Sequence, residues 1–511
     1  MISDGALPQV YEEALEAWRR QDFQEYFKIM EQACRQNPAN VELLVDMGEA
    51  YGMRYDYASA ERCFEKAVRV APRREDVLII AGTRCRGFQR YEMARNYFER
   101  AMSEPEPSPD TYVKLAEIYE RFRLVDEACG LVDRALRLDP ACALASLVRA
   151  RLDRLSGRLE EAERRLHPLL SKSNRHTWST RIRGWYELGA VLDAQGRYDE
   201  AMVAFLKAKA MILPNAGPCI AKQKLVHSLL EIANKKLNAE TMDRWRAQVA
   251  SPGVPWRLAL LCGHPRSGTT LLEQVLDAHP DFISAEETRV FQQEIVGVLS
   301  RELPSEGLLL EALESASPTL LRQACQNYAE CMTRFLGHPP DRRMLIDKNP
   351  SLTPLVPAFV RVFPEAKLLV ALRDPRDVCL SCFMQPLPLG EASSVFLTLE
   401  GTVQGYASHM GLWRAVAPHL GGCFLEVRYE DLIADLEGIA RRVLDFLGAD
   451  WDDRVLRFNE FARRKLVRSP SYAAVAKPIS RGAVGRWRNY QKHLEPWLDT
   501  LAPLVKAFGY E

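Results

Sequence analysis

The feature that most constrains this chain is a self-similarity, with a period of about 34 residues, running through its first half. Gly48, Tyr51, Ala60, Phe64, Ala67 and Pro72 mark one unit. Gly82, Ala94, Phe98 and Ala101 hold the same places in the next, and Ala116, Tyr119, Ala128, Ala135 and Pro140 in the one after. Trp185, Gly189, Ala201, Phe205 and Ala208 repeat the pattern further along. Such spacing suits stacked pairs of antiparallel helices. Small residues let two helices approach, aromatic rings fill the gaps between them, and proline ends the second helix. Weaker copies at Ala14, Ala33 and Pro38, and at Ala150 and Ala162, bring the count to about six units.

The pattern resembles the tetratricopeptide repeat, which implies an α-helical solenoid over residues 1–214. Its concave face would suit a peptide or partner protein, and would equally serve as a scaffold that touches no ligand. Residues 215–254 read as a helical linker containing IAKQKLVHSLLEIANKKL and ending in SPGVP, whose prolines and glycine mark a junction. A second domain is then expected over 255–511.

Composition narrows what the chain does. The 68 basic and 68 acidic residues cancel, so no global electrostatic case for nucleic acid exists. The N-terminal segment MISDGALPQVYEEALEAW lacks the basic and apolar regions of a secretory signal. No run approaches the roughly 20 apolar residues of a membrane helix. The twelve cysteines read as scattered, with no C-x-x-C pair, which argues against a zinc site and for reduced thiols. A cytoplasmic protein with no membrane partner and no metal is expected.

The second half opens with LCGHPRSGTTLLEQVLDAHP at 261–280. It reads as a strand, a turn containing Gly263 and Gly268, and a helix starting at Thr269 or Thr270, with apolar residues at helical spacing. Such a turn aims backbone N–H groups at one spot beside the positive end of a helix dipole, a ready phosphate cradle. Arg266, Ser267, Gly268, Thr269 and Thr270 are its candidate anion-binding residues. A Walker A motif needs lysine where this chain has Thr269, so a nucleotide kinase or NTPase fits poorly. A second element follows in AKLLVALRDPRDVCLSCF, 366–383. A buried strand ends on Arg373, Asp374-Pro375 opens a helix, and Ser381 lies about two turns into it. An arginine at a strand end and a serine on the next helix can face one phosphate.

PRSGTT followed by a helix resembles the 5′-phosphosulfate-binding loop of sulfotransferases, and the Arg373–Ser381 element resembles the one that binds the donor's 3′-phosphate. The resemblance covers roughly 255–511 and is strongest to tyrosylprotein sulfotransferases, which share PRSGTT, LDAHP, EETR and a lysine shortly before proline. It implies a P-loop-type α/β domain with a central parallel sheet, with strands expected near 256–262, 344–347, 367–372 and 423–427. The donor would be 3′-phosphoadenylyl sulfate (PAPS), and its product 3′,5′-adenosine bisphosphate (PAP). By the same resemblance Glu287 is the catalytic base, Arg289 positions the acceptor, and Lys348 with Arg266 stabilises the transition state. Tyr429 lies against the adenine, Ser471 is near the bridging oxygen within a loop (471–480) folding over the donor, and Arg486 stands where the family usually has lysine.

Bland readings stand beside these. Glu286 and Glu287 fit first-turn carboxylates at a helix start, and His279 fits a helix cap. The chain also departs from the family. Gln385 replaces a second arginine for the 3′-phosphate, and the cysteines of a disulfide are absent near Ser284 and Asp347. Repeat-plus-sulfotransferase chains of this kind resemble a bacterial family. The expected function is sulfuryl transfer to an acceptor hydroxyl, by analogy a protein tyrosine, with a saccharide or small phenol equally allowed. The alternative is a non-catalytic repeat scaffold carrying a degenerate sulfotransferase-like domain.

Overall fold

The computed structural model describes residues 7–171, 177–247, 253–300, 309–464, 475–476 and 478–510. By contacts the chain divides into two units, Met1–Thr180 and Arg181–Glu511.

The first unit is a run of antiparallel helix pairs, from α1 (Leu7–Arg19) and α2 (Phe23–Gln36) to α9 (Ala143–Leu155) and α10 (Leu159–Leu170). Between them come α3 (Val41–Met53), α4 (Tyr57–Val70), α5 (Arg74–Gly87), α6 (Tyr91–Met102), α7 (Pro109–Arg121) and α8 (Val125–Leu138). Several starts are capped as their sequences dictate: the Asp22, Asn40 and Asp56 side chains accept the N–H groups of Glu25, Leu43 and Ser59. The two weak units, the first and the fifth, form full pairs, α1–α2 and α9–α10.

The repeat residues meet as their spacing predicts. A Cβ placed on Gly48 would lie 2.6 Å from the Phe64 ring, and one on Gly82 2.7 Å from Phe98. Ala60, Ala67, Ala94 and Ala101 are wholly buried at the same contact. The turn within each pair needs one residue in the left-handed region: Gln21 (φ 58°), Tyr55 (66°), Gln89 (62°), Arg123 (65°) and Gly157 (80°) fill it in succession. Ion pairs tie neighbouring pairs together, among them Arg100–Glu65 at 2.5 Å and Arg86–Glu117 at 2.6 Å.

In the second unit α11 (Trp178–Ala194) and α12 (Tyr198–Ile212) repeat the motif, with Gly189 against Phe205 and Gly196 (φ 77°) in the turn. The periodic pattern runs to 214, yet by contacts its last pair belongs with the sheet. The Tyr198 ring meets Tyr490 edge-on at 5.3 Å, and buried Lys209 places its ammonium 5.0 Å from the Phe383 ring. Two helices follow, α13 (Gly217–Lys236) and α14 (Ala239–Ala247).

A five-stranded parallel sheet carries the rest: β1 (Leu258–Gly263), β2 (Phe282–Glu286), β3 (Met344–Lys348), β4 (Lys367–Leu372) and β5 (Phe424–Arg428). Its order is β2-β3-β1-β4-β5. β1 and β3 are buried along their whole length, as strands covered on both faces must be. Edge strand β5 is half-buried instead and fully buries only Val427. Four strands lie where their apolar runs predict them. β2 was not expected: FISAE forms an edge strand whose Glu286 pairs in register with Lys348, so Glu286 is not in a first helical turn. α15 (Thr269–Asp277) follows β1, α16 (Pro318–Leu336) precedes β3, and α17 (Pro375–Phe383) follows β4. Leu271, Leu272, Val275 and Leu276 of α15 pack with Ala259, Leu261, Ile346 and Val443 in one apolar core. This packing fixes the helix N-terminus at the C-terminal edge of the sheet, where α/β folds place their sites.

Candidate active site

The turn between β1 and α15 is held from both sides. Thr353 accepts the Gly263 N–H at 2.8 Å and returns its hydroxyl to the Gly263 carbonyl. A Cβ on Gly263 would meet the Ala371 carbonyl oxygen at 2.3 Å, so only glycine fits beside β4. Gly268 caps α15 at φ 95°, and a Cβ there would lie 2.6 Å from the Tyr429 ring. Tyr429 therefore lies flush on the cradle. Arg266 occupies φ 72°, a strained conformation for a side-chain-bearing residue. Its Nε donates to Ser381 Oγ at 3.1 Å. Burial, with the charge of Arg373 nearby, lowers its pKa.

Two motifs distant in the chain thus meet at Arg266 and Ser381. Arg373 completes the group: Nη1 donates to the Arg266 carbonyl at 3.2 Å, Nη2 donates to the Ala483 carbonyl, and the guanidinium lies 5.0 Å from the Tyr429 ring. Its Nε is buried and has no hydrogen-bond partner among the described residues. A buried guanidinium N–H without an acceptor is costly, and a phosphate oxygen would satisfy it. The donor chemistry read from the sequence fits this arrangement.

On the other side of β1, Lys348 ends β3 with no exposed surface. Its ammonium is 2.8 Å from Glu287, 3.3 Å from Glu286 and 3.4 Å from Glu273. Burial opposes its charge, but Glu273, Glu287 and Glu286 together hold its pKa above the ordinary lysine value. Glu287 leaves β2 at φ 51°, and its N–H donates to the Lys348 carbonyl at 2.7 Å. That bond turns the carboxylate back toward the lysine while leaving it about one-third exposed. Asn349 fixes the next residue, donating to the Thr288 carbonyl at 2.8 Å.

Residues 259–453, which hold the cradle, the lysine–carboxylate cluster and the Arg373 element, match the model of the sulfotransferase family; residues 182–212 match that of the tetratricopeptide repeat. The chain carries a sulfotransferase-family domain together with tetratricopeptide repeats. It is 28% identical over 265 residues to protein-tyrosine sulfotransferase A of Caenorhabditis elegans, covering 49% of this chain and 66% of that protein. To protein-tyrosine sulfotransferase 1 of Danio rerio it is 27% identical over 278 residues, 50% of this chain and 72% of the relative. An uncharacterized protein of Aquifex aeolicus is 26% identical over 332 residues, 63% of this chain but 41% of its own length. The chain thus spans between about two-fifths and three-quarters of the length of these relatives.

Not every residue singled out from the sequence joins the sulfotransferase domain's central group. Arg289 is exposed. Ser471 and half of the 471–480 loop lie outside the described residues. Arg486 pairs with Asp193 at 2.5 Å. His279 is a cap-like residue: Nδ1 accepts the Asp281 N–H and Nε2 meets the Asp450 carbonyl.

Two carboxylates escaped sequence reasoning. Glu273, fully buried on α15, is the only charged side chain between Thr269 and Leu276, and that isolation was the available signal. Asp377 on α17 accepts the N–H groups of Gly485 (2.7 Å) and Trp487 (2.8 Å) and lies 3.8 Å from Arg373. The cysteine reading also needs one correction. Cys379 and Cys382 form a C-x-x-C around Ser381; both are buried, and burial lifts the Cys382 pKa to about 12, so they behave as packed thiols.

Proposed function

We propose that the domain transfers the sulfuryl group of PAPS to an acceptor hydroxyl, with a protein tyrosine as the acceptor class nearest to its relatives. The observation that carries this reading is the placing of two cation groups at the C-terminal edge of one sheet. Arg266 and Arg373 lie by the cradle, and Lys348 lies beside Glu287. The donor's 5′-phosphosulfate would take the α15 N-terminus and its 3′-phosphate the Arg373–Ser381 element, with Tyr429 beside the adenine.

Glu287 would accept the proton of the acceptor hydroxyl. The acceptor oxygen then bonds to sulfur as the bond from sulfur to the phosphate oxygen breaks, and PAP leaves. Lys348, Arg266 and Ser471 would neutralise charge on the sulfuryl group and the departing oxygen. The Lys348 ammonium lies 2.8 Å from Glu287, so one cation can face both the base and the transferring group.

Incubation of the protein with labelled PAPS and a cell extract should yield a labelled acceptor. Glu287→Ala should lower turnover by at least about a hundredfold, the usual worth of a general base, and still bind PAP. Near-normal turnover of that variant would remove Glu287 from the role.

A further inference from the structure

The last repeat pair reaches the group around Arg373 through one carboxylate. Asp193, near the C-terminal end of α11, pairs with Arg486 at 2.5 Å and accepts the Tyr490 hydroxyl at 2.7 Å. Arg486 belongs to a tight turn, 483–487, fastened by Asp377 and Arg376 of α17 and by Arg373 just before it. Asp377 accepts the Gly485 and Trp487 N–H groups, Arg376 lies 4.2 Å from the Trp487 ring, and the Ala483 carbonyl accepts from Arg373. The Ala483 contact is the informative one. By holding Nη2 of Arg373, the turn helps set the guanidinium so that Nε alone is left without a partner. The same turn is fixed from its other side by Asp193.

We propose that Asp193 is a positioning residue for the 3′-phosphate end of the donor, acting through Arg486 and the 483–487 turn on Arg373. The inference rests on the donor reading above. It gives the last repeat pair a part in nucleotide binding, distinct from any display of a partner on a concave face. A second carboxylate nearby provides a contrast. Asp199 on α12 meets Lys492 at 2.5 Å and His493 at 3.1 Å, bracing the same C-terminal segment beyond the turn without touching Arg486.

The test compares PAP with 5′-AMP, which lacks the 3′-phosphate, by calorimetric titration of the full chain. The wild type should prefer PAP. Asp193→Ala should weaken PAP about tenfold or more, the worth of one charge-assisted contact, while 5′-AMP changes by less than about twofold. Asp193→Asn keeps an acceptor for Tyr490 but loses the charge facing Arg486, so it should show the same PAP-selective loss without disturbing the fold. Asp199→Ala should leave PAP affinity unchanged. Unchanged PAP affinity in both Asp193 variants, equal losses for both nucleotides, or a matching loss in Asp199→Ala would overturn the proposal and leave Asp193 a simple brace. A wild type with no preference for PAP would instead remove the donor reading, and this inference with it.

Discussion

Lys348 is a lysine without exposed surface, surrounded by Glu273, Glu286 and Glu287. Removing one partner from a buried ion group leaves the others uncompensated, which costs about 3–5 kcal/mol. Lys348→Met should therefore lower stability by about that amount at neutral pH, and by less near pH 5, where the stranded carboxylates can protonate; chemical denaturation at the two pH values checks it. Its neighbour Asp347 points to the other side of the sheet, accepts the Tyr328 hydroxyl at 2.8 Å, and leaves its second oxygen without a partner among the described residues. Burial raises its pKa to about 7 from 3.8. The sign follows from proton counts: between those values the folded chain keeps a proton the unfolded chain has released, so stability falls as pH rises through the window. Asp347→Asn should leave stability unchanged below pH 4 and raise it by about 2 kcal/mol at pH 8, discounted from the full 1.36 kcal/mol per pKa unit. A constant difference across the range would contradict this account.

The helix pairs show how one backbone position is solved by different residues. Gln89 and Gly157 occupy equivalent turns, both left-handed, at φ 62° and 80°. A residue with a Cβ pays about 1–2 kcal/mol there, partly offset by the greater freedom glycine has when unfolded. Gln89→Gly should stabilise the repeats by about 0.5–1 kcal/mol, and Gly157→Gln should destabilise them by a similar amount in thermal melts. Gly82 is constrained by space instead, since its missing Cβ would meet the Phe98 ring at 2.7 Å. Gly82→Ala should therefore destabilise by about 1–3 kcal/mol despite the better helix propensity of alanine. A stabilising Gly82→Ala would show that the Phe98 ring can move aside.

Taken whole, the chain places its division at Thr180–Arg181, within the first turn of α11, so that nearly all of the last repeat pair falls in the second unit. α11 and α12 touch the C-terminal segment through Asp193, Tyr198 and Asp199, and α17 through Lys209. A polypeptide begun at residue 181 is expected to melt cooperatively and bind PAP. One begun at residue 255, where the composition marks a junction, should melt lower and bind PAP more weakly, because it exposes Tyr490 and strips Arg486 of its partner. Equal melting and binding of the two would locate the functional boundary at the junction after all.

By itself the sequence determined the repeat helices, because Gly–Phe contacts such as Gly48–Phe64 recur at fixed spacing and each contact is local to one pair. It also determined the cradle, because Gly263, Gly268 and the apolar face of α15 are adjacent in the chain and their geometry follows from backbone sterics. Strand β2 was beyond it, since FISAE becomes a strand only through pairing with β3, and Glu286 acquires its place only opposite Lys348. The same holds for Asp193, whose partners lie far along the chain, and for Glu273, whose isolation on an apolar helix hinted at burial but not at its partner Lys348. Burial decided the rest. Which carboxylates surround a lysine, and which guanidinium nitrogen is left without a partner among the described residues, are matters of distance in space, and only the tertiary structure supplies them.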